Sequence, residues 1–423
     1  SSTSSSTSSS TSSSTSSSNV PLDSDGDGYP DAIDAFPHDK LEWLDTDKDG
    51  VGDNSDPTPL GDPFPDWSAF QGNERHNGVV EATLDVERFS IRWSRSLPEE
   101  IALHSQAHAA AGDGFIFAVF SDELTAFRAG TGDIAWTVQL AGASPPGYAD
   151  GVVYIQTWGG QRAALWAFEA ATGDVIFKTA IYNPNSFAVY PPTIADGTVY
   201  IHGGEFSGMY ALDAITGEQK WHARFFQGDY YTPAITPDYA IAYSADVDST
   251  LILVDRVTGM PVRTIDGEIY DSVSWPLELV PVVSGTSVVV IGNNRLIHFD
   301  LVSKTKAWDI KSSFSGVPVI KGDLVYAIDD GVIKMVELAT GSVVGGISGS
   351  SPFINKFILT ENLLLVADHE NTYAYNLDSQ QKEWTLNESG IPFVSDGAIF
   401  VLAENSLTSI DITGDVESEG VSD

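Results

Sequence analysis

From about residue 110 onward the chain alternates short apolar runs with tight polar turns. The runs GFIFAVF from Gly114, GVVYIQTW from Gly151, GTVYIHGG from Gly197 and TSVVVIGN from Thr286 are β-branched and aromatic, the composition of half-buried or buried strands. A polar turn precedes several of them, as at Gly112-Asp113-Gly114, Ala149-Asp150-Gly151, Ala195-Asp196-Gly197 and Ser395-Asp396-Gly397. Asp-Gly at such a place supplies the positive φ that a two-residue hairpin demands.

A second phrase, ending in Thr-Gly, follows each run. It reads AFRAGTGDIAW from Ala126, AFEAATGDVIF from Ala167 and ALDAITGEQKW from Ala211. Looser copies start at Leu253, His298, Met335, Ala374 and Leu407, which makes eight. The residue heading the turn is Arg128, Glu169, Asp213, Asp255, Asp300, Glu337, Asn376 or Asp411. The spacings are 41, 44, 42, 45, 37, 39 and 35 residues. A period near forty built from short strands predicts a radial β-array, with four strands to each unit. The inner strand is apolar, as in PAIT from Pro233 or VPVI from Val317. The fourth often carries a Trp, at positions 136, 221, 308 and 384, which is expected to fill the widening gap between units. The eighth phrase has no fourth strand after it, whereas FSIRWSRSL, from Phe89 to Leu97, has no third strand before it. The expected fold is therefore all-β: an eight-bladed β-propeller closed by an N-terminal strand that completes the last blade and removes the open edges.

These repeats resemble the PQQ-like repeat propellers, a family that includes the assembly lipoprotein BamB and the quinoprotein alcohol dehydrogenases. The lead-in DWSAFQGNERHNGVV from Asp66 also resembles the start of such domains, so the likeness covers roughly residues 67–415. Fold does not fix function, since propellers host many activities. The quinoprotein members imply a quinone held under a pair of adjacent cysteines, and this chain has no Cys. No counterpart of their calcium-binding Glu and Asn with a catalytic Asp is evident, and the repeat reads as structural.

Ahead of the propeller, residues 1–18 are only Ser and Thr. They read as a solvated tether, open to O-glycosylation. Such spacers follow the acylated Cys of lipoproteins, so a lipid anchor upstream of residue 1 is an expectation. Residues 19–59 hold two acidic loops, DSDGDGYPDAID from Asp23 and DTDKDGVGDNSD from Asp45. Both place Asp at loop positions 1, 3, 5, 9 and 12 and Gly at 6, the spacing of an EF-hand-type Ca²⁺ loop. In the first, Asp23, Asp25, Asp27, Asp31 and Asp34 are the side-chain ligands and Tyr29 offers its carbonyl. In the second those roles fall to Asp45, Asp47, Asp49, Asp53 and Asp56, with the carbonyl of Val51. Gly28 and Gly50 allow the sharp turns. Without flanking amphipathic helices, the pair resembles thrombospondin type 3 repeats over residues 22–59. Residues 1–66 carry fourteen acidic residues against two lysines. Two Ca²⁺ ions would offset four of those charges and fold the loops around them, giving a stiff spacer. Residues 60–66 end a proline-rich joint, and 416–423 form an acidic tail.

The chain's net charge is −38, which disfavours nucleic acid and anionic membranes as partners. No apolar run approaches the length of a membrane span. Three long aromatic connections between outer and inner strands share one face. Tyr182, Phe187, Tyr190, Phe226, Tyr230, Tyr231, Tyr270 and Trp275 are the candidates there for contact with a protein or a glycan. Among them Asp229 and Asp271 are the weaker candidates for a glycosidase pair. His104 and His108 are the only close histidine pair, and no third metal ligand accompanies them. No GxSxG, HExxH or P-loop pattern appears. The expected function is non-enzymatic: an exported, bacterial, calcium-binding surface propeller that binds a protein partner or assembles with itself, one concrete version being an extracellular fibre. A BamB-like outer-membrane scaffold and a carbohydrate-active enzyme are the alternatives.

Overall fold

The structure is a computed structural model. It describes residues 22–31, 33–44, 52, 54, 64, 66–97, 108–120, 122–159, 163–181, 190–204, 207–225, 230–244, 250–266 and 278–412. Residues 1–18, the second acidic loop from Asp45 to Asp56 apart from Gly52 and Asn54, and the tail lie outside them.

Eight four-stranded antiparallel sheets stand side by side. Their innermost strands are Ala110–Gly112, Gly147–Ala149, Thr193–Ala195, Ala234–Ile235, Val282–Ser284, Phe314–Lys321, Ile354–Leu359 and Gly390–Ser395. They define blades 1 to 8. The two middle strands of each blade are buried on both faces, which is why they read as near-continuous apolar runs. The outer strands alternate or lie exposed, as in Ile134–Gln139.

The hairpin and Thr-Gly phrases each do the job their chemistry predicts. Asp113, Asp150, Asp196 and Asp396 all take positive φ. At the Thr-Gly turns, the acid heading the phrase closes the turn. Asp255 Oδ1 accepts from the N–H and the Oγ1–H of Thr258, both at 2.7 Å. Its carbonyl accepts the N–H of Gly259 at 2.9 Å. Gly259 has φ +72, and a Cβ there would stand 2.5 Å from the Trp221 ring of the blade before. Glycine is required twice at this place, by conformation and by contact.

That contact is the joint between blades. The indole N–H of Trp136 donates to the Ala170 carbonyl at 2.8 Å, that of Trp221 to Arg256 at 2.9 Å, and that of Trp308 to Leu338 at 2.8 Å. In each case the acceptor directly follows the residue heading the next blade's turn. Each of these three outer-strand Trp residues thus lies across its neighbour's Thr-Gly turn, adding a hydrogen bond to its packing.

The same joint closes the ring. Strand β1 (Ser90–Ser96) pairs antiparallel with the strand Ser406–Asp411, with Trp93 opposite Ser409. Trp93 then donates to the Ala129 carbonyl of blade 1 at 2.9 Å. The expectation that the Trp93 strand completes the last blade is met.

Candidate functional site

The first acidic loop is built from local hydrogen bonds. Asp23 accepts the N–H of Gly26 at 2.8 Å and that of Gly28 at 3.2 Å. Asp25 accepts from Asp27 N–H, and Asp27 from Tyr29 N–H. Positive φ at Gly26 and Gly28 bends the chain around these carboxylates. One oxygen from each of Asp23, Asp25 and Asp27 then falls within 4.8 Å of the others. Asp34 comes from the end of the loop and is only 8% exposed. Its Oδ2, and those of Asp25 and Asp27, are buried with no hydrogen-bond partner. Burial, together with the charges of Asp27, Asp34 and Asp23, raises the Asp25 pKa. Three carboxylates that crowd together, beside buried Asp34, while three buried oxygens lack donors form an oxygen-rich set of the kind a hard cation takes. The donor set fits Ca²⁺.

Asp31, expected as a direct ligand, accepts from Ser24 on both oxygens, from its N–H and its Oγ–H, each at 2.7 Å. The Ser24 hydroxyl is the leading cause of its lowered pKa. Asp31 thereby ties the start of the loop to its end. Tyr29 lays its ring on Trp43, with centroids 5.2 Å apart and planes 3° apart, which fastens the loop to the segment after it. Asp45, Asp47, Asp49, Val51, Asp53 and Asp56 lie outside the described residues. Of the stretch they occupy, Asn54 N–H donates to the buried Glu42 at 3.0 Å.

The aromatic face is corrected in part. Tyr190 and Tyr231 are buried, so neither offers contact area. Tyr190 meets His202 edge-on, and the Tyr231 hydroxyl donates to the Gly208 carbonyl at 2.9 Å. Loop aromatics near the axis gain more by covering one another than by facing water. Tyr230 begins a two-residue parallel pairing with Glu278–Leu279, while Tyr182, Phe187, Phe226, Tyr270 and Trp275 fall outside the described residues, as do Asp229 and Asp271. His104 does too. His108 is buried, with Nε2 2.8 Å from the Pro146 carbonyl, and packs against Phe70.

The axis holds what the strand pattern does not announce. The lead-in from Trp67 to Val80 touches the innermost strand of every blade. Trp67 bridges to Ala111, and the Ser68 carbonyl accepts Tyr148 N–H. His76 Nε2 stands 3.2 Å from Thr193 Oγ1. Glu74 and Arg75 carbonyls accept from Ile235 and Val283. Gly78 abuts Val319, its carbonyl accepts the N–H of Leu359, whose carbonyl accepts Val80 N–H, and Trp67 packs on Phe393. His76 Nδ1 faces the Pro281 carbonyl at 3.1 Å, so that nitrogen carries the proton. Burial pushes the His76 pKa down to about 4 and that of His202 to about 3, and both rings are neutral. Gln71 has φ 51, is buried, and neither amide atom has a hydrogen-bond partner. A lone histidine and a glutamine in an irregular stretch carry no periodic signal, so sequence patterns missed their role as an axial plug.

Phe70, Gln71 and His76 of this plug are all buried.

No curated protein matches the chain. Among solved structures it is similar to BamB from Moraxella catarrhalis, with 17% identity over 76% of this chain and 97% of that one and a TM-score of 0.57. It is also similar to the quinohemoprotein alcohol dehydrogenase from Comamonas testosteroni, with 12% identity, coverages of 85% and 82%, and a TM-score of 0.67. The computationally designed Ika8 protein gives 11%, 75%, 100% and 0.58. These likenesses show the fold. A family model described as outer membrane protein assembly factor BamB matches residues 76–180 and 121–346, more than half of the chain, and the chain therefore belongs to that family of PQQ-like repeat propellers.

Proposed function

We propose that this protein is a non-catalytic binding module of the cell envelope or its exterior, a rigid propeller carried on a calcium-held stalk. The observation that carries this reading is the plug. Its own chain fills the axis and touches all eight blades, so the propeller's rigidity is spent on presenting outer surfaces rather than on enclosing a ligand. The family supports an envelope location and a role in protein interaction. No helix of the described residues is long and apolar enough to cross a membrane.

Calcium belongs to the stalk in this reading. Asp23, Asp25, Asp27 and Asp34 hold the ion in the first loop, and Asp31 fixes the loop's closure. The test is calorimetric titration of chelator-treated full-length protein with Ca²⁺, beside the Asp25→Asn and Asp34→Asn variants. Each variant is expected to weaken the first site about tenfold or more, since it replaces a charged donor with a neutral one. Unchanged heats in both would overturn the assignment. Incubation with pyrroloquinoline quinone and Ca²⁺, followed by gel filtration and a dye-linked alcohol assay, tests the non-catalytic half: retained quinone with turnover would refute it.

A scaffold role in β-barrel assembly is favoured by the family match alone. Co-purification of barrel-assembly components with the full chain would select it.

A further inference from the structure

The repeat allows one joint to be compared with the others. Trp93, Trp136, Trp221 and Trp308 each give the indole N–H to a carbonyl in the next blade's turn between third and fourth strands. Trp384 stands in the same register on the outer strand of blade 7 (Lys382–Leu386), opposite Ala374 as Trp221 is opposite Ala211. Its indole N–H has no hydrogen-bond acceptor among the described residues. The latch is the cause. Blade 8 takes its fourth strand from the other end of the chain, so no covalent turn joins Ser406–Asp411 to β1 for Trp384 to lie on. Phe89, which leads into β1, meets the Trp384 ring edge-on instead, with centroids 5.3 Å apart.

Between these two outer strands lies a groove of about 360 Å³, within the range of small-ligand sites, about 300–1,000 Å³. Trp384 and Phe89, both half-buried, supply aromatic surface. Glu388 accepts the Ser406 hydroxyl and, at 2.7 Å, that of Thr408, whose oxygen is 2.9 Å from the Ser94 hydroxyl. The carboxylate is thereby fixed by bonds that reach across to β1. Asn387 is exposed, and its amide makes no hydrogen bond among the described residues. No Lys, Arg or His lines the groove. An anion would meet no cation there, and a wholly apolar ligand would cover the amide and the carboxylate without bonding them. Aromatic faces beside an indole N–H, an amide and a carboxylate offer stacking, donors and acceptors together. We propose that the groove binds a neutral pyranose sugar of a glycan chain. The C–H face of the ring lies on Trp384, and the hydroxyls bond the indole N–H, the Asn387 amide and Glu388. A single carboxylate lines the groove, whereas glycoside hydrolysis takes a pair, so the sugar is held rather than cut. The inference rests on the reading of the chain as a non-catalytic binding module, to which it adds a ligand class, and it is independent of the calcium-held stalk.

The test takes full-length protein and the neutral tetrasaccharides of glucose, N-acetylglucosamine, mannose and galactose, with a galacturonic acid tetramer as the anionic comparison. Saturation-transfer NMR and calorimetric titration are read beside Trp384→Ala, Asn387→Ala and the control Val343→Ala, on the exposed outer strand of blade 6. At least one neutral probe is expected to bind, and Trp384→Ala and Asn387→Ala are each expected to weaken it about tenfold, with no change in Val343→Ala. Asn387 is exposed, so its substitution leaves the fold intact and keeps the test decisive should Trp384→Ala fail to fold. No binding by any neutral probe overturns the inference, as does equal binding of the anionic tetramer or binding that Asn387→Ala leaves unchanged. Chromatography of the recovered probe separates the two readings. A probe that binds through Asn387 and returns shortened refutes the non-catalytic reading and leaves the groove standing, whereas absent binding removes the groove alone.

Discussion

Gln71 is a residue whose surroundings oppose it twice. Its backbone sits in the left-handed region and its buried amide has no partner. An unsatisfied buried amide costs about 1–3 kcal/mol. Gln71→Leu removes the amide at similar volume and is expected to leave stability unchanged or raise it by about 1 kcal/mol in urea unfolding. A loss of several kcal/mol would mean that the amide holds a bound water or ion. His76 gives a pH signature with a definite sign. Its folded pKa, about 4, lies below the ordinary value near 6.5. Between those values the unfolded chain binds the proton and the native chain does not, so stability rises with pH across this window and is fully present above 6.5. The span is worth about 3 kcal/mol. His76→Gln should lower the slope of that part of the stability–pH curve, leaving the contribution of His202, and a variant curve parallel to the wild type would show that His76 does not titrate there.

At the scale of the element, the blade joint explains why two residue types recur in the sequence. An outer-strand Trp needs a glycine turn to lie on and a carbonyl to bond. Trp221→Ala should cost about 3–5 kcal/mol. Trp221→Phe, which keeps most of the packing and loses the bond to Arg256, should cost about 1 kcal/mol. Equal losses by thermal denaturation would mean that the hydrogen bond outweighs the ring. These joints were legible in the chain because their determinants are local. Asp-Gly fixes a hairpin, Thr-Gly fixes the next turn, and the period counts the blades. The crowding of carboxylates in the first acidic loop was legible for the same reason: Asp23, Asp25 and Asp27 lie within five residues. The bonds of Asp31 to Ser24 were not legible, because spacing says which residues share a loop, not which donors meet a carboxylate. The burial of Tyr190 and Tyr231 was not legible, because an aromatic in a long connection reads alike whether it turns in or out. The plug was illegible because its partners are spread over eight strands as far as Phe393, and nothing in its own composition encodes them.

For the whole molecule, closure depends on one strand that belongs to the last blade in space and to the first in sequence. β1 supplies the fourth strand of blade 8, pairs Arg92 with Asp411 at 3.4 Å, and carries the Trp93 that docks on blade 1. Every other joint links neighbours in sequence, so losing one leaves the flanking blades tethered by short connections. The closing joint spans more than three hundred residues, and its loss exposes the edge of Ser406–Asp411 as an open ladder. Trp93→Ala and Trp221→Ala remove the same indole from equivalent joints and should cost similar equilibrium stability, about 3–5 kcal/mol each. Their amide exchange should differ. Trp93→Ala should accelerate exchange across residues 406–411 well ahead of the other blades, while Trp221→Ala should leave that strand protected. Were both variants to leave residues 406–411 equally protected, the Trp93 strand would not be the latch, and rigidity of the ring would have to come from the axial plug holding all eight inner strands at once.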